Sequence, residues 1–169
     1  MGLSAEDKRE IEELLVRYTY LLDLEATPKD EFLSLFTDDA ILVSPIRGRF
    51  VGREGLGAFA GLLESATYGK VRTEQLRHIV TNFLIDGDGD TAFMKAFVVL
   101  YITRLDTVER HTDFSLAGHY ECDVVRINGE WKLKTRILHI DTVTGGPNDR
   151  SDRAYDDVSD QPSEGLRHG

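Results

Sequence analysis

Apolar residues recur at helical spacing near the N-terminus and at strand spacing later, and this change of period outlines the fold. Ile11, Leu14, Leu15, Tyr18 and Leu22 lie on one face of a helix. Ser4-Ala5-Glu6-Asp7, just ahead of them, reads as an N-cap with acids in the first turn. Thr27-Pro28 predicts a second helix start, with Thr as cap and Pro at the first helical position. Phe32, Leu33, Leu35 and Phe36 supply its apolar side. Residues 40–44 are strand-like, and Gly48 and Gly52 bracket a short extended piece at 49–51. A third helix is predicted over 53–65, burying Leu56, Phe59, Leu62 and Leu63.

Long strand patterns follow. Segments 76–86 and 91–104 are separated by Gly87-Asp88-Gly89-Asp90, and segments 114–127 and 131–141 by Asn128-Gly129. Asn-Gly is the strongest short hairpin signal, because both turn positions need positive φ. Helices first and long antiparallel strands afterwards give an α+β class, with the early strands adding edges. The pattern stops near Val143. We therefore read 1–144 as one domain and 145–169, rich in Asp, Arg, Ser, Gly and Pro, as an acidic C-terminal tail, either flexible or ordered by a partner.

Composition narrows the function. The chain has 169 residues and 41% hydrophobic content, enough for a buried core rather than a disordered segment. Its formal net charge of −10 opposes a phosphate backbone, so nucleic acid is not an expected partner. No apolar run reaches the ~20 residues that span a bilayer, and the polar start is unlike a signal peptide. A single cysteine, Cys122, excludes an internal disulfide and fits a cytoplasmic compartment. It sits inside a strand pattern, as a packing residue.

The residues that could carry chemistry are scattered. His78 alternates with Val80, Asn82 and Leu84, while Arg77, Ile79, Thr81 and Phe83 share the other face. Both faces are mixed, so alternation leaves open which one lines the interior. Asp23 ends the first helix, ~140° from the stripe centred on Tyr18, which favours the surface on periodicity alone. His139 shares parity with Trp131, Leu133 and Ile137, and so is expected on the apolar side. There it is either an acid/base or substrate-binding group or a core histidine. Tyr120 alternates with Leu116, Gly118, Cys122 and Val124 and is expected to face the same interior. His119 falls with Glu121 and Asp123 on a polar, solvated face. Asp86-Gly87-Asp88-Gly89-Asp90 imitates the start of a calcium loop, but Thr91 and Phe97 occupy its sixth and twelfth positions, and a hairpin explains it better. No local spacing supports a His78–His139 metal triad. No metal is expected, and phosphate-loop and dinucleotide motifs are missing.

Tyr18-Thr19-Tyr20-Leu21-Leu22-Asp23, with Arg77-His78-Ile79-Val80-Thr81-Asn82 on the first long strand, resembles the SnoaL-like, scytalone dehydratase-like branch of the nuclear transport factor 2-like superfamily. The resemblance spans about Glu6 to Val143. Tyr18 and Asp23 have the spacing of the tyrosine and aspartate of bile-acid 7α-dehydratase, and Asp23 matches the dyad aspartate of scytalone dehydratase and of hexachlorocyclohexane dehydrochlorinase. The strand with His78 is similar to the one that bears their dyad histidine. At the Tyr120 position scytalone dehydratase has a substrate-contacting asparagine, so this chain departs from it there.

The resemblance implies a cone-shaped α+β fold with helices packed on a strongly curved antiparallel sheet. It also implies a cofactor-independent lyase, a dehydratase or related isomerase, acting on a small apolar hydroxylated or carbonyl compound such as a polyketide, steroid or terpenoid. His78, Asp23 and Tyr18 would be catalytic, and Tyr20, Tyr120, His139 and Asn82 would contact substrate. A homodimer or homotrimer is implied. Two other readings stay open: a non-catalytic small subunit of a ring-hydroxylating dioxygenase-like complex, and a small-ligand binding module. A large partner chain that co-purifies would reveal the first; the second hinges on whether Asp23 and His78 meet.

Overall fold

The computed structural model describes residues 2–24, 28–67 and 73–143. The tail expected at 145–169 and the expected cap Thr27 lie outside them. Helix α1 runs Ala5–Asp23, opened by a reciprocal cap: the Asp7 N–H donates to Ser4 Oγ, and the Ser4 N–H donates to the Asp7 carboxylate. Each bond satisfies a backbone donor that the first helical turn leaves unpaired. α2, Lys29–Ser34, starts one residue later than the sequence suggests, with Pro28 as N-cap and no side-chain cap bond. α3 spans Gly52–Thr67.

The strands are β1 (Phe36–Ser44), β2 (Gly48–Val51), β3 (Glu74–Asp88), β4 (Thr91–Arg104), β5 (His111–Ile127) and β6 (Glu130–Val143). They form one curved sheet in the order β2-β1-β6-β5-β4-β3, the open α+β cone. The early strands do add the β1–β2 edge, but β1 runs parallel to β6, so the sheet is not wholly antiparallel. Asn128 and Gly129 have φ of 53° and 85°, as a two-residue hairpin turn requires. None of the described helices is long and apolar enough to cross a membrane.

The core lies between the helices and the inner face of the sheet. Ile11, Leu15 and Tyr18 of α1, Phe32 of α2, Leu56 of α3 and Met94, Val98, Cys122, Val124 and Leu133 of the sheet are all buried. Burying one such aliphatic or aromatic side chain stabilises by about 1.5–3 kcal/mol.

Two bulges decide what faces this core. On β3, Thr81 pairs Phe97 but Leu84 pairs Lys95, so β3 carries one extra residue. Asn82, with φ 55°, absorbs it. The inward set is therefore Leu76, His78, Val80, Phe83 and Ile85, and Asn82 and Leu84 turn outward. On β6, Val124 pairs Leu133 but Glu121 pairs Ile137, again one residue too many on β6. Thr135 Oγ1 repairs the broken ladder by accepting the Asp123 N–H (3.0 Å) while donating to Asp123 Oδ2 (2.8 Å). Beyond it the buried positions become Arg136 and Leu138, and His139 is turned to the outer face.

Candidate functional site

α1 ends where β3 crosses it, and that crossing brings Asp23 to His78. Asp23 Oδ1 lies 2.7 Å from His78 Nδ1, and Asp23 Oδ2 accepts the His78 backbone N–H at 2.9 Å. Both side chains are 12% exposed. Gln75 Nε2 donates to the Asp23 carbonyl at 3.1 Å, tying the helix end to the same strand. The surface position that helical periodicity suggests for Asp23 is not what the structure has. Periodicity measures the angle to the sheet beneath the helix, whereas β3 approaches the helix end from another side. His78 lies on the inner face, in register with Leu100, which in turn pairs Leu116; both leucines are buried.

Deeper in the core, Tyr18 and Tyr120 meet edge to face with centroids 6.1 Å apart. Between them lies Arg136, a residue that strand alternation missed. Its guanidinium carbon is 4.9 Å from the Tyr18 ring centroid and 4.5 Å from that of Tyr120. Arg136 is 3% exposed, and its Nη1 donates to the Val43 carbonyl at 2.9 Å. No carboxylate among the described residues lies within ion-pairing distance of it, and its Nε has no hydrogen-bond partner there. Burial works against the charge, yet Tyr18, Tyr120 and Cys122 outweigh it, so Arg136 stays protonated. Two aromatic faces hold the cation through their quadrupoles. No residue in the sequence announces the β6 bulge that buries Arg136.

The Tyr18 hydroxyl is buried and likewise lacks a partner among the described residues. Burial raises its pKa far above the ordinary phenol value, with Arg136 opposing. Tyr120 is raised by burial as well, against the pull of Arg136, and Asp23 is near enough for its charge to add to the rise. Burial pushes the Cys122 thiol up to about 12, consistent with a packing role.

Three expected contacts are not brought together with this group. Tyr20 is 70% exposed, on the outer side of α1. Asn82 is exposed at the β3 bulge, and His139 is on the outer face of β6. Tyr20 fails because two helical steps from Tyr18 is ~200°, nearly the opposite face. Asn82 and His139 fail because a one-residue bulge inverts the alternation on which they were placed.

Three comparisons with known proteins complete the picture. A protein from Novosphingobium aromaticivorans, a proposed aromatic ring hydroxylase, is 26% identical with a TM-score of 0.68, over 88% of this chain and 99% of that one. A cystatin-like protein of unknown function from Nostoc punctiforme is 28% identical with a TM-score of 0.64, over 83% and 96%. A proposed scytalone dehydratase from Novosphingobium aromaticivorans, at 23% identity and a TM-score of 0.65 over 82% and 87%, shares the fold. No curated protein matches. Residues 3–137 match the SnoaL-like domain, and the chain belongs to that family.

Proposed function

We propose that this protein is a cofactor-independent lyase of the dehydratase type, or a related isomerase, for a small hydroxylated carbonyl compound. The observation that carries the reading is the Asp23–His78 contact: one carboxylate grips both the ring Nδ1 and the backbone N–H of the same histidine. Holding Nδ1 in this way fixes the tautomer with Nε2 unprotonated, and places the ring rigidly. Nε2 then takes a proton from the carbon next to the carbonyl. Asp23 stabilises the imidazolium that forms. The C–O bond at the neighbouring carbon breaks, and the same proton leaves with the hydroxide as water. In an isomerisation the proton returns to a different carbon instead.

Negative charge develops on the carbonyl oxygen as the proton leaves. Arg136 supplies a buried cation with an uncommitted Nε–H, and Tyr18 a buried hydroxyl, both suited to that oxygen. In surroundings without water such donors act more strongly than in solvent. Family membership supports a small-molecule ligand. The pairing of Asp23 with His78 favours turnover over a purely binding or scaffold role, which needs no acid/base pair.

The test is a screen of hydroxylated ketones, sterols and aromatic polyketides for loss of water or a shifted double bond, followed by His78→Ala on any substrate found. The expected fall in kcat is about 10²–10⁴-fold. Wild-type turnover by His78→Ala would sink the mechanism.

A further inference from the structure

The β6 bulge that buries Arg136 also exports His139, and on the outer face it joins residues that the proposed chemistry does not use. His139 sits directly opposite His119 in the β5–β6 ladder, and Glu121 is two residues further along β5, on the same face. The two imidazoles stack with centroids 4.6 Å apart and planes 8° from parallel. Glu121 Oε2 is 3.4 Å from His139 Nε2, and Oε1 is 3.9 Å from His119 Nε2. One nitrogen from each histidine and one oxygen of Glu121 all lie within 4.8 Å of one another.

We propose that His119, His139 and Glu121 form a divalent transition-metal site on the outer face of the sheet, with Zn²⁺ as its natural probe. The donor set selects the metal class. Two imidazoles and one carboxylate suit Zn²⁺ and its neighbours, whereas Ca²⁺ and Mg²⁺ require oxygen ligands. Zn–N bonds of about 2.0–2.1 Å place two nitrogens about 3.4 Å apart in a tetrahedron. The two ring nitrogens and the carboxylate lie within 4.8 Å of one another, and rotation of the stacked rings out of parallel would turn both lone pairs towards one ion. Strand pairing has already placed the Cα atoms, so little backbone order remains to be lost on binding.

The protonation states are favourable. Burial pushes the His139 pKa down, against Glu121, so the ring is neutral and a ligand at neutral pH. Burial pushes Glu121 up, but the ammonium of Lys95 beside it outweighs this, so the carboxylate is ionised. The competitor is Lys95, whose Nζ lies 2.6 Å from Glu121 Oε1 and leaves Oε2 facing His139. The side chains are 31%, 28% and 27% exposed for His119, Glu121 and His139, while His139 Nε2 itself is buried, so the site would open to water on the His119 and Glu121 side. Bound metal would clip β6 to β5 beside the register shift. It would not reach the Asp23–His78 pair, which lies on the opposite face.

The experiment titrates Zn²⁺ into the full chain, freed of metal with EDTA, by calorimetry, with Co²⁺ absorption as a spectroscopic readout. One saturable equivalent per chain is expected, with a rise in Tm on adding Zn²⁺. His119→Gln, His139→Gln and Glu121→Gln should each weaken binding at least about tenfold and abolish the Tm rise. His78→Gln and His111→Gln should leave Zn²⁺ affinity unchanged. Lys95→Met should tighten it, a result that general loosening of the sheet would not produce. Unsaturable uptake, affinity indifferent to all three ligand substitutions, or affinity lost in His78→Gln overturns the site.

Discussion

Each end of α1 is tied to a strand by a carboxylate, and the two ties differ in what they leave free. At the N-terminal end, Asp7 closes the helix cap with Ser4 and contacts Arg126 of β5. Arg126 in turn covers the Trp131 ring at 4.6 Å. At the C-terminal end, Asp23 holds His78 of β3. Asp7 is fully engaged: Ser4 first, through its side chain and backbone, and then Arg126 lower its pKa to about 2. Its partner, a guanidinium, neither releases nor accepts a proton near neutral pH. Asp23 has an imidazole as partner, with a second ring nitrogen that can take up and release a proton. The same helix thus uses one acid to fasten its start and one to hold an imidazole. The chemistry of the partner, rather than the strength of the contact, separates a structural tie from a candidate site.

Substitutions at the two ends, and in the core between them, put the contrast at risk. Asp23→Asn should have the largest effect. The amide retains a hydrogen bond but not the charge that supports an imidazolium, so kcat should fall about 10²–10³-fold with KM little changed. An effect confined to KM would make Asp23 a binding residue.

Arg136→Met comes next. Removing a buried cation that lacks an ion-pair partner among the described residues should leave the Tm unchanged or higher, while turnover drops by about two orders of magnitude. A collapse of the fold with no separable loss of activity would assign Arg136 to structure alone. Tyr18→Phe should show the same trade on a smaller scale. Deleting a buried hydroxyl without a partner should stabilise by about 1 kcal/mol in denaturant unfolding and slow turnover by about tenfold.

Asp7→Asn should be the mildest and should leave kcat unchanged. The folded pKa of Asp7 is depressed from 3.8 to about 2, so the unfolded chain binds more protons in that window. The Asp7 contribution is therefore fully present above about pH 4 and is lost as pH falls towards 2. Asp7→Asn should flatten the dependence of stability on pH across that interval. An unchanged slope would mean that the cap and the Arg126 contact do not persist in solution.

Much of this protein is legible in the order of its residues. The Ser4 cap, the buried stripe of α1, the Asn128-Gly129 turn and the limits of β4 all follow from short-range rules, because a cap, a helical face or a two-residue turn is decided within a few residues. The family was legible too, through Tyr18, Asp23 and the strand around His78. What local rules could not supply was the face on which distant side chains meet. Alternation along a strand is reliable until one residue is inserted, after which every later side chain changes sides. The bulge at Asn82 and the one near Thr135 are that insertion, and they account for the misplacement of Asn82 and His139 and for the unnoticed Arg136. The Asp23–His78 contact joins residues 55 positions apart, so neither periodicity nor spacing determines it. It exists because β3 passes the end of α1. The sequence by itself determined which elements form and where they turn. The tertiary structure decided which side chains share an interior, because register between strands is settled by their mutual packing and not by either strand alone.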